Sequence, residues 1–158
     1  MTKTTSIIQD IRGLPAENTD EFLKRIVDKL RSFRKHYTWV GIYMVENGFL
    51  VLRAFSGDEE TSHVKIGVGE GVCGLAAQKG ETIIVPDVSK EPRYIECFPS
   101  TKSEIVVPIL LGKKVAGEID VDSNLLNAFD DEDRLLLEEV ARIIAETLEA
   151  KKSSKASP

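Results

Sequence analysis

Apolar and polar positions follow one period at each end of the chain and another in between. From Asn18 to Arg34, apolar residues recur every three or four positions, at Phe22, Leu23, Ile26, Val27, Leu30 and Phe33. That spacing predicts an amphipathic helix, with Asn18 to Asp20 offering cap residues at its start. Two runs rich in β-branched and aromatic residues follow, Tyr37 to Val45 and Phe49 to Phe55, joined by Glu46-Asn47-Gly48. An Asn-Gly pair between two such runs predicts an antiparallel hairpin. Five of the eleven glycines fall between Gly67 and Gly80, and four of the six prolines between Pro86 and Pro108, so the middle reads as turns and short segments.

Two more strands are expected at Ser103 to Leu111 and Val115 to Ser123, turning through Gly112-Lys113-Lys114. The first is apolar on both faces, as a central strand would be. A closing helix is expected from Asp130 to Leu148. Leu136, Val140, Ile143, Ile144 and Leu148 form its stripe, and Asp130 to Asp133 crowd the N-terminal turn, where the dipole favours anions. Residues 151–158 are polar and read as a disordered tail behind a single domain spanning 1–150. Without a βαβ crossover, the order predicts an α+β domain: an antiparallel sheet flanked by helices, with the N- and C-terminal helices on one side.

At 158 residues the chain is long enough to bury a core without cross-links, so its two cysteines, Cys73 and Cys97, are not needed to staple the fold. A net charge of -5, with no dense basic cluster except the Lys151 to Lys155 end, argues against a nucleic-acid partner. The first ten residues hold no apolar core of a signal peptide, and the longest apolar run, Ile105 to Leu111, contains Pro108. No membrane association is expected, and the expected location is cytoplasmic. In that reducing compartment a cysteine pair is more often redox-active or metal-binding than a permanent disulfide.

Gly69-x-Gly71-x-x-Gly74 matches the form of a dinucleotide fingerprint, but the stretch after it is too short for the crossover helix such a site requires. The pattern reads instead as a glycine turn into a short helix. Cys73 then lies near a helix N-terminus, where the dipole favours a thiolate; the alternative is a buried, inert thiol. Cys97 stands in a proline-bounded loop, with Arg93 and Lys102 nearby in sequence to supply positive potential. The two cysteines are 24 residues apart, with no Cys-x-x-Cys, and a zinc site would have to be gathered from His36, His63 and both cysteines, so no metal is expected. Thiol to disulfide cycling is the sharper alternative.

In Glu118-Ile-Asp120-Val-Asp122 the three acids project from one face of a strand and the apolar residues from the other. One reading is a solvated outer face. The other is a carboxylate set that Glu104 joins, able to hold an ammonium group and to keep one member protonated as a general acid. Trp39 and Tyr43 share a strand face and suit either core packing or a pocket wall.

Taken together, Trp39-Val-Gly-Ile-Tyr43, Gly69-Glu-Gly-Val-Cys-Gly74, Pro86-Asp87-Val88, Cys97, Ser103-Glu-Ile-Val-Val-Pro108, Gly117-Glu-Ile-Asp-Val-Asp-Ser123 and Phe129-Asp-Asp-Glu-Asp133 resemble the GAF domain. More narrowly, the chain resembles the free methionine-(R)-sulfoxide reductases, from about Asp20 to Ala150. The resemblance implies a GAF-like sheet with a loop-rich pocket opposite the terminal helices. It implies Cys97 as nucleophile and Cys73 as the resolving thiol, with thioredoxin as external reductant and no bound cofactor. It also implies Glu104, Asp120 and Asp122 as acidic pocket residues and Trp39 and Tyr43 as an aromatic wall. Glu104 is the candidate acid.

The sequence departs from the family pattern where a third cysteine is usual: His63 stands there, and Phe98 and Tyr94-Ile-Glu96 replace the usual neighbours of the nucleophile. Two readings follow. One is a two-cysteine reductase of free methionine-(R)-sulfoxide. The other is a non-catalytic GAF module that binds a small molecule for sensing or regulation. In either, the helices Asp20 to Arg34 and Asp130 to Leu148 offer a face for a homodimer.

Overall fold

A six-stranded antiparallel sheet divides the chain into a helical side and a pocket side. The computed structural model describes residues 2–61, 63–96 and 98–156. In chain order the elements are α1 (Lys3–Arg12), α2 (Thr19–Phe33), β1 (Trp39–Glu46), β2 (Phe49–Gly57), β3 (Lys65–Gly67), α3 (Gly71–Lys79), β4 (Ile83–Val85), a 3₁₀ turn (Val88–Lys90), β5 (Ser103–Leu111), β6 (Lys114–Ser123) and α4 (Asp131–Ala156). The strand order is β3-β2-β1-β6-β5-β4, so the two long hairpins β1–β2 and β5–β6 meet at the centre through β1 and β6.

Each predicted element forms for the reason its sequence offers. Asn18 caps α2, its side chain accepting from the Glu21 N–H at 3.0 Å. Phe22, Leu23, Ile26, Val27 and Leu30 are all buried against the sheet, each worth roughly 1.5–3 kcal/mol for a fully buried side chain. Asn47 and Gly48 both take positive φ, 51° and 81°, as the tight β1–β2 hairpin requires. Asp130 and Asp133 cap one another at the start of α4, with N–H to carboxylate distances of 3.1 and 3.0 Å.

Two elements differ from the sequence reading. Helix α1 was not expected, because only Ile7 and Ile11 of its stripe are buried; its Arg12 binds Glu139 of α4 at 2.8 Å. Helix α4 runs to Ala156, past the expected end at Leu148 and into the segment expected to be disordered. Lys151 ties that extension to α2, donating to Glu17 O at 3.1 Å and Thr19 Oγ1 at 2.6 Å.

The helical-side core joins α1, α2 and α4 to Val40, Ile42, Ile105, Val107, Ile109, Ile119 and Val121 of the sheet. Leu30, Leu136 and Val140, part of the face expected to serve a dimer, are spent in this core, while Leu135 is exposed on α4. A second core on the opposite face gathers Trp39, Tyr43, Val72, Cys73, Val85, Phe98 and Val106 under α3. Among the described residues no helix is long and apolar enough to cross a membrane.

Candidate functional site

Strand register brings the acids together. On β6, Asp122 pairs with Glu104 of β5 and with Trp39 of β1; Asp120 lies opposite Val106 and Gly41; Glu118 lies opposite Pro108 and Tyr43. The period-two alternation therefore puts Glu104, Glu118, Asp120 and Asp122 on the pocket face, while Ile105, Ile119 and Val121 enter the helical core. The solvated-face reading fails on burial: Glu118 and Asp120 are 0% exposed, Asp122 1% and Glu104 3%.

Helix α3 packs over this face, against β5 and β6. Gly74 makes the close fit possible, since a Cβ there would lie 2.5 Å from the Gly67 carbonyl oxygen. The glycine pattern thus serves a tight turn and a nine-residue helix, followed by the antiparallel edge strand β4 and no crossover. Cys73, the third residue of α3, points into the sheet and donates to Glu104 Oε2 at 3.9 Å.

The position near a helix N-terminus does not make Cys73 a thiolate. Burial pushes its thiol well above the ordinary range, and the carboxylates Asp120, Glu118, Glu104 and Asp122 push in the same direction. Burial also raises Glu104 and Glu118 well above the usual carboxylate range, and the charge of Asp120 adds to both. Asp122 behaves in the same way, with burial first and Asp120 second. Asp120 is raised by burial but is opposed by hydrogen bonds from Glu104 and Cys73 and by the nearby charge of His63. Glu104, holding its proton beside it, can donate to Asp120 or Asp122. No oxygen of Glu118, Asp120 or Asp122 makes a hydrogen bond of good geometry among the described residues, although Cys73 and Glu104 lie within reach of them.

The aromatic wall is built on glycine. The indole of Trp39 lies across Gly41 and Gly57, where added Cβ atoms would sit 2.2 and 2.3 Å from ring carbons. It stacks on Phe55, centroids 6.0 Å apart, and meets Phe98 at 5.6 Å. Its Nε1 is buried with no acceptor among the described residues. Tyr43 is fully buried and donates its hydroxyl to His63 O at 2.9 Å, holding the segment before β3.

Two small cavities reach the acidic cluster. One, about 170 Å³, is bordered by His63, Glu70, Cys73, Ile95 and Glu104. The other, about 130 Å³, is bordered by Trp39, Phe98, Thr101 and Asp122. Larger hollows of about 520 and 510 Å³ are open grooves beside α1 and α4 that hold no thiol and no buried carboxylate.

Cys97 lies outside the described residues, and with it the question of how closely the two sulfurs approach. Its described neighbours Ile95 and Phe98 border the two cavities. Arg93, expected to lend positive potential, is exposed and engaged with Glu91 at 2.7 Å. His36 is remote from Cys73: it meets Asp133 at 3.2 Å on the helical side, so the four-residue zinc set considered from sequence is not gathered. Glu118 and Phe98 join the expected residues here, Glu118 in the buried acidic cluster and Phe98 at the cavity beside Trp39 and Asp122. Alternation had placed Glu118 on the acidic face, but the family resemblance gave it no role.

The GAF domain family model matches residues 16–149. The chain belongs to the GAF domain family. Within it, the chain is homologous to free methionine-R-sulfoxide reductases. It is 41% identical to that of Saccharomyces cerevisiae over 118 residues, 72% of this chain and 64% of the yeast protein. It superposes on the type II free methionine-R-sulfoxide reductase of Thermoplasma acidophilum with a TM-score of 0.78 at 40% identity, covering 83% of this chain and 95% of the other. The Neisseria meningitidis free methionine-R-sulfoxide reductase, solved in complex with its substrate, gives 0.88 at 34% identity, with 96% and 91% covered. The six-stranded antiparallel sheet with flanking helices is thus a GAF fold in sequence and in shape.

Proposed function

We propose that this GAF domain reduces free methionine-(R)-sulfoxide to methionine. One observation carries the reading beyond homology: a cluster of buried carboxylates with no lysine or arginine paired to it among the described residues stands beside aromatic side chains. Such a place suits a ligand that brings an ammonium group and a small apolar group together, as a free amino acid does. Asp120 and Asp122 bind the ammonium, Trp39 and Tyr43 pack the methyl group, and protonated Glu104 donates to the sulfoxide oxygen.

Cys97 is the nucleophile in this scheme. Its sulfur bonds to the sulfoxide sulfur as the protonated S–O bond breaks and the oxygen leaves as water; a second water then attacks the Cys97 sulfur and breaks the transient S–S bond, so that methionine leaves and Cys97 becomes a sulfenic acid. The Cys73 thiol then attacks that sulfenic sulfur; a disulfide forms and water is released, carrying the sulfenic oxygen. A thioredoxin-type dithiol reopens the disulfide and is itself oxidised. The neighbouring carboxylate oxygen of Glu104 is the acceptor for the Cys73 proton, which burial otherwise holds in place.

A non-catalytic, ligand-binding GAF module is the second reading, favoured by the burial and raised pKa of Cys73. NADPH oxidation in a thioredoxin and thioredoxin reductase mixture separates the two. The enzyme reading expects turnover with free methionine-(R)-sulfoxide that Cys97→Ser abolishes. No turnover by the wild-type chain leaves the binding module.

A further inference from the structure

The Cys73 thiol, a Glu104 oxygen and an Asp120 oxygen lie within 4.8 Å of one another, all on buried side chains. They come from α3, β5 and β6, which explains why the sequence shows no compact ligand spacing. A tetrahedral zinc with bonds of about 2.0–2.3 Å sets its ligands roughly 3–4 Å apart. Cys73 Sγ and Glu104 Oε2 already stand at 3.9 Å.

Two further groups point to a cation here. Glu118 and Asp122 are at most 1% exposed, and their oxygens make no hydrogen bond of good geometry among the described residues. Glu118 comes within hydrogen-bonding reach of Cys73, so its carboxyl is turned toward the same point. His63 borders the cavity that Cys73 and Glu104 share. The neighbourhood therefore gathers many potential ligand atoms with no lysine or arginine paired to them among the described residues. One sulfur donor among carboxylates, with an imidazole at the margin, suits a borderline cation; magnesium and calcium prefer oxygen alone.

We propose that Cys73, Glu104 and Asp120 bind a divalent cation of the zinc class. On binding, the metal forms bonds to the Cys73 sulfur and to one oxygen each of Glu104 and Asp120, Cys73 and Glu104 release their protons to solvent, and no electron is transferred. The site does not depend on the reductase reading. Where that reading holds, cation and sulfoxide compete, because both need Glu104 and Asp120.

The test uses the reduced full chain with Cd²⁺ or Zn²⁺ alone, without substrate or reductase partners, so that failure of turnover and failure of metal binding are read separately. An ultraviolet thiolate-to-cadmium charge-transfer band should saturate at one cation per chain, persist in Cys97→Ser and vanish in Cys73→Ser. Calorimetric Zn²⁺ affinity should fall about tenfold or more in Glu104→Gln and in Asp120→Asn, whose thiols are intact, with circular dichroism matching the wild type. The proposal is overturned if the wild-type chain shows no saturable binding, if the band survives Cys73→Ser, or if neither carboxylate variant weakens binding.

Discussion

Glu104 and Asp122 face one another across β5 and β6, both carboxyl groups buried. Both are held well above the ordinary carboxylate range by burial and by Asp120, so the folded chain keeps protons that the unfolded chain gives up at about pH 4. Their contribution to stability is therefore complete below that pH and is lost as pH rises toward their raised folded values. Asp122→Asn removes one titrating group at little change in shape. It is expected to stabilise the ligand-free chain by roughly 1–3 kcal/mol at pH 8, the scale of an unsatisfied buried polar group, with the gain shrinking toward pH 5. Urea unfolding of both proteins at the two pH values checks this; an equal or larger gain at pH 5 argues against buried protonated carboxyls.

The Trp39 indole occupies the space above Gly41 that any side chain would claim. Gly41→Ala should displace the ring, costing about 1–3 kcal/mol as overpacking typically does. Under the reductase reading it should raise KM more than it lowers kcat, since the ring binds the methyl group and does no proton transfer. Steady-state kinetics decide, and an unchanged KM would remove Trp39 from the pocket wall.

Tyr43 reaches from the central strand to the His63 carbonyl. Tyr43→Phe should lower stability by roughly 0.5–1.5 kcal/mol through loss of that bond and speed hydrogen exchange in residues 61–65 more than elsewhere. Exchange that rises uniformly across the sheet would show that the hydroxyl does not act locally.

Much of this arrangement is legible in the sequence, and what is not has physical causes. Period-two alternation in Glu118 to Asp122 gave the shared face correctly, yet nothing local could say that α3 would cover it, because burial depends on a contact between segments far apart in the chain. The same limit explains the Cys73 thiol: its place at a helix N-terminus is local and was readable, whereas the carboxylates that oppose ionisation come from β5 and β6. Helix α1 escaped notice because two buried isoleucines make too short a stripe, and its support comes from Arg12 reaching α4. The family resemblance nominates the aromatic and acidic residues; the reason Trp39 lies flat, the absence of Cβ at Gly41 and Gly57, appears only when β1 and β2 are paired.

If Cys73 resolves the sulfenic acid, Cys73→Ser should still release methionine once per chain but turn over slowly with thioredoxin. A rapid-mixing measurement should show a burst of about one methionine per chain followed by a rate reduced about tenfold or more, the accumulated-intermediate pattern of covalent catalysis. Wild-type turnover in this variant would assign the resolving role elsewhere.

The most direct test is methionine formed from racemic free methionine sulfoxide in the presence of thioredoxin, thioredoxin reductase and NADPH. The reaction should consume the R form and stop with the S form intact, and Asp120→Asn should lose at least most of that rate. No methionine, or equal consumption of both forms, would contradict the assignment of this acidic pocket to free methionine-(R)-sulfoxide.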